Sequence, residues 1–235
     1  VSEPAANLPS GARSVMASRV EPWDGLDYFP TPPWATRALL AHVLGGESRA
    51  VASVWEPACG AGHMARVLAD HFGRVHASDV HDYGQGYPVG SFVGEGPDVA
   101  QCPFRPDWII TNPPFNLAKE FALRALNEAR TGVALLVRST WLEGTKRYLE
   151  LFEPMRPAVV AMFAERVPIV KGRWDPDAST ATAYAWVVWN SRHVGDTRLM
   201  WIPPGQRKSL EWHDDRRRFA DLANLSLKPD PEDVT

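Results

Sequence analysis

The sequence predicts an α/β protein: a mostly parallel sheet with helices on both faces, closed by a late antiparallel hairpin. Three observations carry that prediction. From "VASVW" onward, apolar runs of strand length alternate with stretches of helical period, the pattern of βαβ units. One run, "GVALLVRST", is apolar on both faces, as a strand covered by helices on both sides must be. Two later runs, "PAVVAMFAE" and "ATAYAWVVWN", are separated only by the polar, Pro-containing loop "RVPIVKGRWDPDAS", so they are expected to pair as a hairpin.

Taken in order, residues 1–24 are rich in Pro, Ser, Ala and Gly without hydrophobic periodicity and read as a flexible arm. One folded domain is expected over 25–202. A helical tail follows over 203–235, with "KPDPEDVT" disordered at its end. In "YFPTPPWATRALLAHVLGG", Thr31 is a candidate cap, Pro32 and Pro33 suit a first turn, and Gly45-Gly46 ends the helix. The stretch "AVASVWEPACGAGHMARVLADHFGRVHASDV" reads as strand, glycine turn, helix and strand, with Met64, Val67, Leu68 and Phe72 at helical spacing and a right-handed crossover. "DWII" is a further strand. "LAKEFALRALNEA" is a helix with Phe121, Leu123 and Leu126 among its apolar positions. The tail "PPGQRKSLEWHDDRRRFADLANL" is expected to hold one helix.

The chain has 235 residues, 45% of them hydrophobic, enough for one domain with a substantial core. A formal net charge of −3 gives no global footprint for nucleic acid, so such binding would use local patches or a partner. No apolar stretch reaches the length of a signal peptide or a membrane span, and a cytoplasmic location is expected. Cys59 and Cys102 are the only cysteines and the seven His are scattered, so neither a disulfide nor a metal site is expected. Of the ten Trp, Trp55, Trp108, Trp186 and Trp189 fall in strands and read as core, while Trp34 is open between packing and ligand cover.

Chemistry is concentrated at three strand ends. In "WEPACGAG" a strand ends at Glu56, and Gly60 and Gly62 form a turn that lets backbone approach a ligand. Two glycines alone are weak evidence, and Ala65 at the third position leaves a dinucleotide fingerprint open. Asp79 ends the next strand, where a carboxylate can accept from both hydroxyls of a ribose, although a strand-end Asp also simply starts turns. The third end is Thr111-Asn112-Pro113-Pro114-Phe115. The Asn112 side-chain carbonyl and a backbone carbonyl of the Pro-Pro segment can each accept one hydrogen of an amide-like amine, which favours a pyramidal nitrogen. Prolines fix φ and remove competing donors, and Phe115 can stack on a planar substrate.

With these residues the chain resembles the class I S-adenosylmethionine-dependent amino-methyltransferases, whose fourth motif is Asp, Asn or Ser followed by Pro-Pro and an aromatic. The resemblance covers roughly residues 26 to 190. "TPPW" before the glycine turn and "NPPF" after it is the γ-type order of the adenine methyltransferases of DNA. The resemblance implies a Rossmann-like, seven-stranded sheet, S-adenosyl-L-methionine as cofactor, and methyl transfer to the N(6) amine of a flipped-out adenine in DNA without metal or covalent intermediate. Tyr28, Thr31 and Pro32 would meet the cofactor, with Phe29 beside them. Glu56, Ala58, Cys59, Gly60 and Gly62 would form its loop, Asp79 would hold its ribose, and Ser91 and Phe92 would flank its adenine, Ser91 departing from the family's Asp. Asn112, Pro113, Pro114 and Phe115 would form the catalytic motif.

Arg166, Lys171 and Arg173 in the late loop are candidates for phosphate contacts, and Trp174 for stacking on an extruded base, against the alternative of a solvated loop with one hydrophobic anchor. Arg216, Arg217 and Arg218 lie beside Asp214 and Asp215 and read as a self-neutralising helix face. His63 reads as a helix-start residue. Only about 45 residues follow the last recognised strand, fewer than a typical domain, so specificity is expected to be short, shape-based or supplied by a partner. The same chemistry on RNA, methylation of a glutamine amide in a protein, a binding-only module and a nicotinamide dehydrogenase are the alternatives.

Overall fold

The computed structural model describes residues 27–45 and 49–219. The expected arm over 1–24 and the expected disorder of "KPDPEDVT" lie outside the described residues. The first helix, α1 (Pro33–Ala38), continues as a π-helical turn over Leu39–Val43. Its N-cap is Pro32 with no side-chain cap, so Thr31 does not cap it as expected. Pro33 occupies the first turn, where a missing N–H costs nothing. Then come β1 (Ser53–Glu56), α2 (His63–Ala69), β2 (Arg74–Ala77), β3 (Trp108–Thr111), α3 (Ala118–Glu128) and β4 (Gly132–Arg138). A 3₁₀ turn over Ser139–Leu142 leads to the three-residue helix α4 (Thr145–Arg147), which runs into a second π-helical turn, Tyr148–Phe152. The chain ends its sheet with β5 (Val159–Phe163), β6 (Tyr184–Asn190) and β7 (Arg198–Ile202), followed by α5 (Gln206–Leu210) and a last helical stretch over 215–219.

The seven strands form one sheet in the order β2-β1-β3-β4-β6-β5-β7. Only β6 runs against the rest: it is antiparallel to β4 and to β5, while β7 lies parallel to β5. The mostly parallel Rossmann-like sheet and the late hairpin are both present. Residues 164–183, which join β5 to β6, contain no helix, so the chain returns antiparallel instead of crossing over. The seventh strand is β7, which the sequence did not announce. Its exposed Leu199 and Trp201 mark an edge strand, so its alternation is too shallow to read as core. The tail forms two short helical pieces instead of one.

Strand alternation sorts the core. Val54, Ile110, Leu136, Trp186 and Val188 face the layer of α1 and α2, whereas Trp55, Ile109, Leu135, Val187 and Trp189 face α3. The buried indoles are satisfied as well as packed, Trp186 Nε1 donating to the Ala35 carbonyl at 3.1 Å and Trp189 Nε1 to that of Met155 at 2.8 Å. The site follows from the order. The chain leaves β1 for β2 on one side and returns to β3 on the other, so the carboxyl ends of β1 and β3 diverge into a crevice at the switch point. Among the described residues no helix is long and apolar enough to cross a membrane.

Candidate active site

The glycine turn after β1 is built by backbone geometry that other residues resist. Gly60 sits at φ +52° and Gly62 at φ +91°, and a Cβ on Gly60 would lie 2.5 Å from Tyr28 Cε2. Asp79 stitches this turn to the end of β2: one carboxylate oxygen accepts from the Gly60 N–H at 2.7 Å, the other from the His81 N–H at 3.1 Å. With a third bond from the Val80 N–H, one of the carboxylate's four acceptor positions is left for a further donor. Glu56 is buried at the end of β1 and its Oε2 has no hydrogen-bond partner.

Burial raises the Glu56 carboxyl well above its usual range, the charge of Asp79 adds to this, and a bond from the Ala65 N–H opposes it. Asp79 is raised chiefly by burial, against hydrogen bonds from the Gly60, His81 and Val80 backbone. Cys59, a free thiol, is pushed up by burial and then by these two carboxylates, and is not a nucleophile at neutral pH. Cys102 is also free.

At the end of β3 the Asn112 amide is fixed by its surroundings. Its Nδ2 donates to the Phe29 carbonyl at 2.9 Å, and because that carbonyl only accepts, Oδ1 must point away. Oδ1 is buried and has no hydrogen-bond partner among the described residues. Beyond it the Pro114 carbonyl accepts from the Leu117 N–H at 3.0 Å, and the Pro113 carbonyl has no backbone donor among the described residues. The Phe115 N–H donates to Asp27 Oδ2 at 2.7 Å. Its ring lies 4.9 Å from that of Phe29 and 3.6 Å beneath the Arg138 guanidinium.

Tyr28, Thr31, Glu56, Ala58, Cys59, Gly60, Asp79, Ser91, Phe92, Asn112 and Pro114 line one cavity. Phe92 is buried edge-on against Trp55 at 4.9 Å, with Phe121 4.8 Å away, and Ser91 turns its hydroxyl to the Val93 carbonyl at 2.5 Å. Pro32 caps α1 and Gly62 caps α2, both outside the lining. Pro113 and Phe115 line a second cavity, together with Val137, Arg138, Trp141 and Arg147. The loop over 111–115 is thus a wall between two cavities, with Asn112 on one side and Phe115 on the other.

The late loop lies elsewhere. Arg166, Lys171 and Arg173 are exposed and line neither cavity, and Arg173 pairs with Asp175 at 3.2 Å. Trp174 is only 7% exposed, packed 6.4 Å from the ring of His63 and 5.8 Å from that of Phe219. That is the hydrophobic-anchor arrangement. Trp34 likewise packs into the core, 5.7 Å from Phe163. His63 opens α2, lines the first cavity and stacks on Phe219. Burial, then the neighbouring Arg66, lowers its pKa to about 3, so it stays neutral.

The expected self-neutralising face of the tail is corrected. Arg216 pairs with Asp177 at 2.7 Å and Arg218 with Asp70 at 2.8 Å, while only Arg217 approaches Asp214, at 3.9 Å. Asp215 is bound by Arg37 through two hydrogen bonds of 2.6 and 2.7 Å.

Asp27, Tyr83, Tyr87 and Arg138 escaped the sequence reading. Tyr83 lies 4.6 Å from Tyr28, and the Tyr87 hydroxyl lies where a Cβ on Gly62 would come within 2.4 Å. Their segment "HDYGQGYPVG" has glycines and a proline but no period, so its aromatics looked like loop decoration.

No family model matches the chain, and a search of curated proteins finds no match. Solved structures align with parts of it. A modification subunit provisionally assigned to a type I restriction enzyme from Vibrio vulnificus aligns over 86% of this chain and 54% of its own, at 15% identity and a TM-score of 0.48. A dimethyladenosine transferase from Plasmodium falciparum aligns over 68% and 62%, at 13% identity and a TM-score of 0.42. A TehB-like SAM-dependent methyltransferase from Corynebacterium glutamicum aligns over 66% and 85%, at 13% identity and a TM-score of 0.40. The chain therefore spans about half the length of the modification subunit.

Proposed function

We propose that the chain is an S-adenosylmethionine-dependent methyltransferase that modifies the exocyclic N(6) amine of adenine in DNA. The observation that carries this reading is the Asn112 Oδ1: a buried amide oxygen with no partner, held in place from its other end, at the boundary between the two cavities. An orphaned buried acceptor costs on the order of 1–3 kcal/mol, which a donor supplied by substrate would recover.

The first cavity fits the cofactor. The glycine turn brings backbone to the cavity edge beneath Tyr28, Asp79 lines the cavity with acceptor capacity left for a ribose hydroxyl, and Glu56 Oε2, without a partner among the described residues, is open to a donor. S-adenosylmethionine, when bound, supplies an electrophilic methyl group on a sulfonium. The protein's part is positional. Asn112 Oδ1 and the Pro113 carbonyl each accept one hydrogen of the target amine, draw its nitrogen toward a pyramidal shape and direct the lone pair into the first cavity. Phe115 lines the space where the base lies. A general base is not required before attack, in keeping with the neutral, unpartnered His63.

The test is methyl transfer from isotope-labelled S-adenosylmethionine to DNA, total RNA and protein extract in parallel, with digestion and mass spectrometry. Label in N(6)-methyldeoxyadenosine is the expected result. Asn112→Ala should lower transfer by about 10²-fold or more, by analogy with loss of one preorganised polar group, while cofactor affinity measured by calorimetry changes little. Unchanged transfer by that variant would remove Asn112 from the mechanism.

A further inference from the structure

The second cavity carries two arginines that the proposed chemistry does not use. Arg138 ends β4 and Arg147 ends α4, and both line the space around Pro113 and Phe115 with Thr140 and Trp141. Arg147 is committed locally, donating from Nη1 to the carbonyls of Trp141, at 2.5 Å, and Glu143. Arg138 is held more lightly: its guanidinium lies over Phe115 at 3.6 Å and hydrogen-bonds Tyr184, while its Nε, buried like that of Arg147, has no hydrogen-bond partner among the described residues.

This placement has a steric consequence. Phe115 has Phe29 beside its ring at 4.9 Å and the Arg138 guanidinium over it at 3.6 Å. On the face that Arg138 covers, a base can stack only by taking the place of the guanidinium. The guanidinium must slide off when the base enters, and a partly buried cation that leaves an aromatic face needs an anion to meet. A nucleic acid brings one at a fixed distance from every base, and guanidinium is the side chain best matched to phosphate.

Resting on the methyltransferase reading above, we propose that Arg138 is a substrate-exchange residue. It shields Phe115 in the free protein and, as the target base takes its place, pairs with a backbone phosphate flanking the flipped nucleotide in the cavity lined by Thr140 and Arg147. The residue acts in binding and specificity: it ties occupation of the base site to the presence of a polynucleotide backbone, so a free nucleobase or an amide side chain would displace it without compensation.

The experiment takes a deoxyoligonucleotide that the wild-type protein methylates and replaces the phosphate on either side of the modified adenine by an uncharged methylphosphonate. At one of the two positions the wild type should lose about tenfold in kcat/KM, the worth of one charge-assisted contact. Arg138→Met and Arg138→Gln, the latter keeping a planar polar group over Phe115, should be indifferent to the replacement at that position. Their log affinity should fall less steeply with log salt, by about 0.7 to 0.9 for the single contact removed.

Calorimetric titration with S-adenosylmethionine reports that each variant is folded. If the methylphosphonate costs the wild type nothing, or costs the variants as much as the wild type, the proposal is overturned while the methyltransferase reading stands. Absence of wild-type transfer to any nucleic acid would remove that reading and the phosphate site with it.

Discussion

At the residue scale, the glycine turn and its two carboxylates make separable predictions. Gly60→Ala adds a methyl group 2.5 Å from the Tyr28 ring at a φ of +52°. The backbone cost is roughly 1–2 kcal/mol, and the ring must move off the turn. We expect a lowered unfolding midpoint and at least a tenfold weaker affinity for S-adenosylmethionine, both read by calorimetry. Glu56 and Asp79 give a pH dependence whose sign is fixed by the direction of their shifts. Both carboxyls are raised in the fold, chiefly by burial. Between the ordinary carboxylate range and these raised values the folded state holds more protons than the unfolded chain. The stability present in acid is therefore lost as pH rises through that window. Glu56→Gln should flatten the decline, as denaturant unfolding at stepped pH would reveal. Donors from the cofactor favour the ionised carboxylates, so its affinity should climb over the same window with release of protons; calorimetry in buffers of different ionisation enthalpy detects that release.

At the scale of elements, the C-terminal segment is fastened to the first helix by a buried pair. Arg37 and Asp215 are 4% and 0% exposed, and Arg37 also donates to the Leu210 carbonyl at 2.8 Å and lies 3.8 Å over Trp212. Removing one partner strands the other charge. Asp215→Ala should therefore cost about 3–5 kcal/mol in chemical unfolding, and Arg37→Met with Asp215→Leu should recover much of it. A double variant no better than the single would show that the ion pair itself holds the segment. Nothing in the sequence pointed to this pair. Asp215 sits among four other charged residues in "HDDRRRF", and the partner lies 178 positions away on a face that reads as apolar. The same blindness hid β7, whose exposed edge carries little periodicity. The inner strands were legible because burial on both faces leaves unbroken apolar runs.

Across the whole molecule, the mostly parallel sheet and the reversed β6 were readable from the chain: a helix lies between β1 and β2 and between β3 and β4, whereas none lies between β5 and β6. The crevice at the switch point was equally legible, since glycines and prolines at strand ends are local signals. What joins the ends was not. The segment over 27–31 crosses between the two cavities: Tyr28 covers Gly60, the Phe29 carbonyl holds Asn112, and Asp27 holds the Phe115 N–H. The Tyr28 carbonyl in turn accepts from the Gly172 N–H at 2.8 Å, so the late loop anchors this crossing. A single peptide that touches both ligand spaces makes their occupancies thermodynamically reciprocal on the proposed reading. Whatever factor prior cofactor imposes on DNA affinity, DNA must impose on cofactor affinity. Asp27→Ala, which unfastens one end of the crossing, should bring that shared factor toward one without abolishing either binding event.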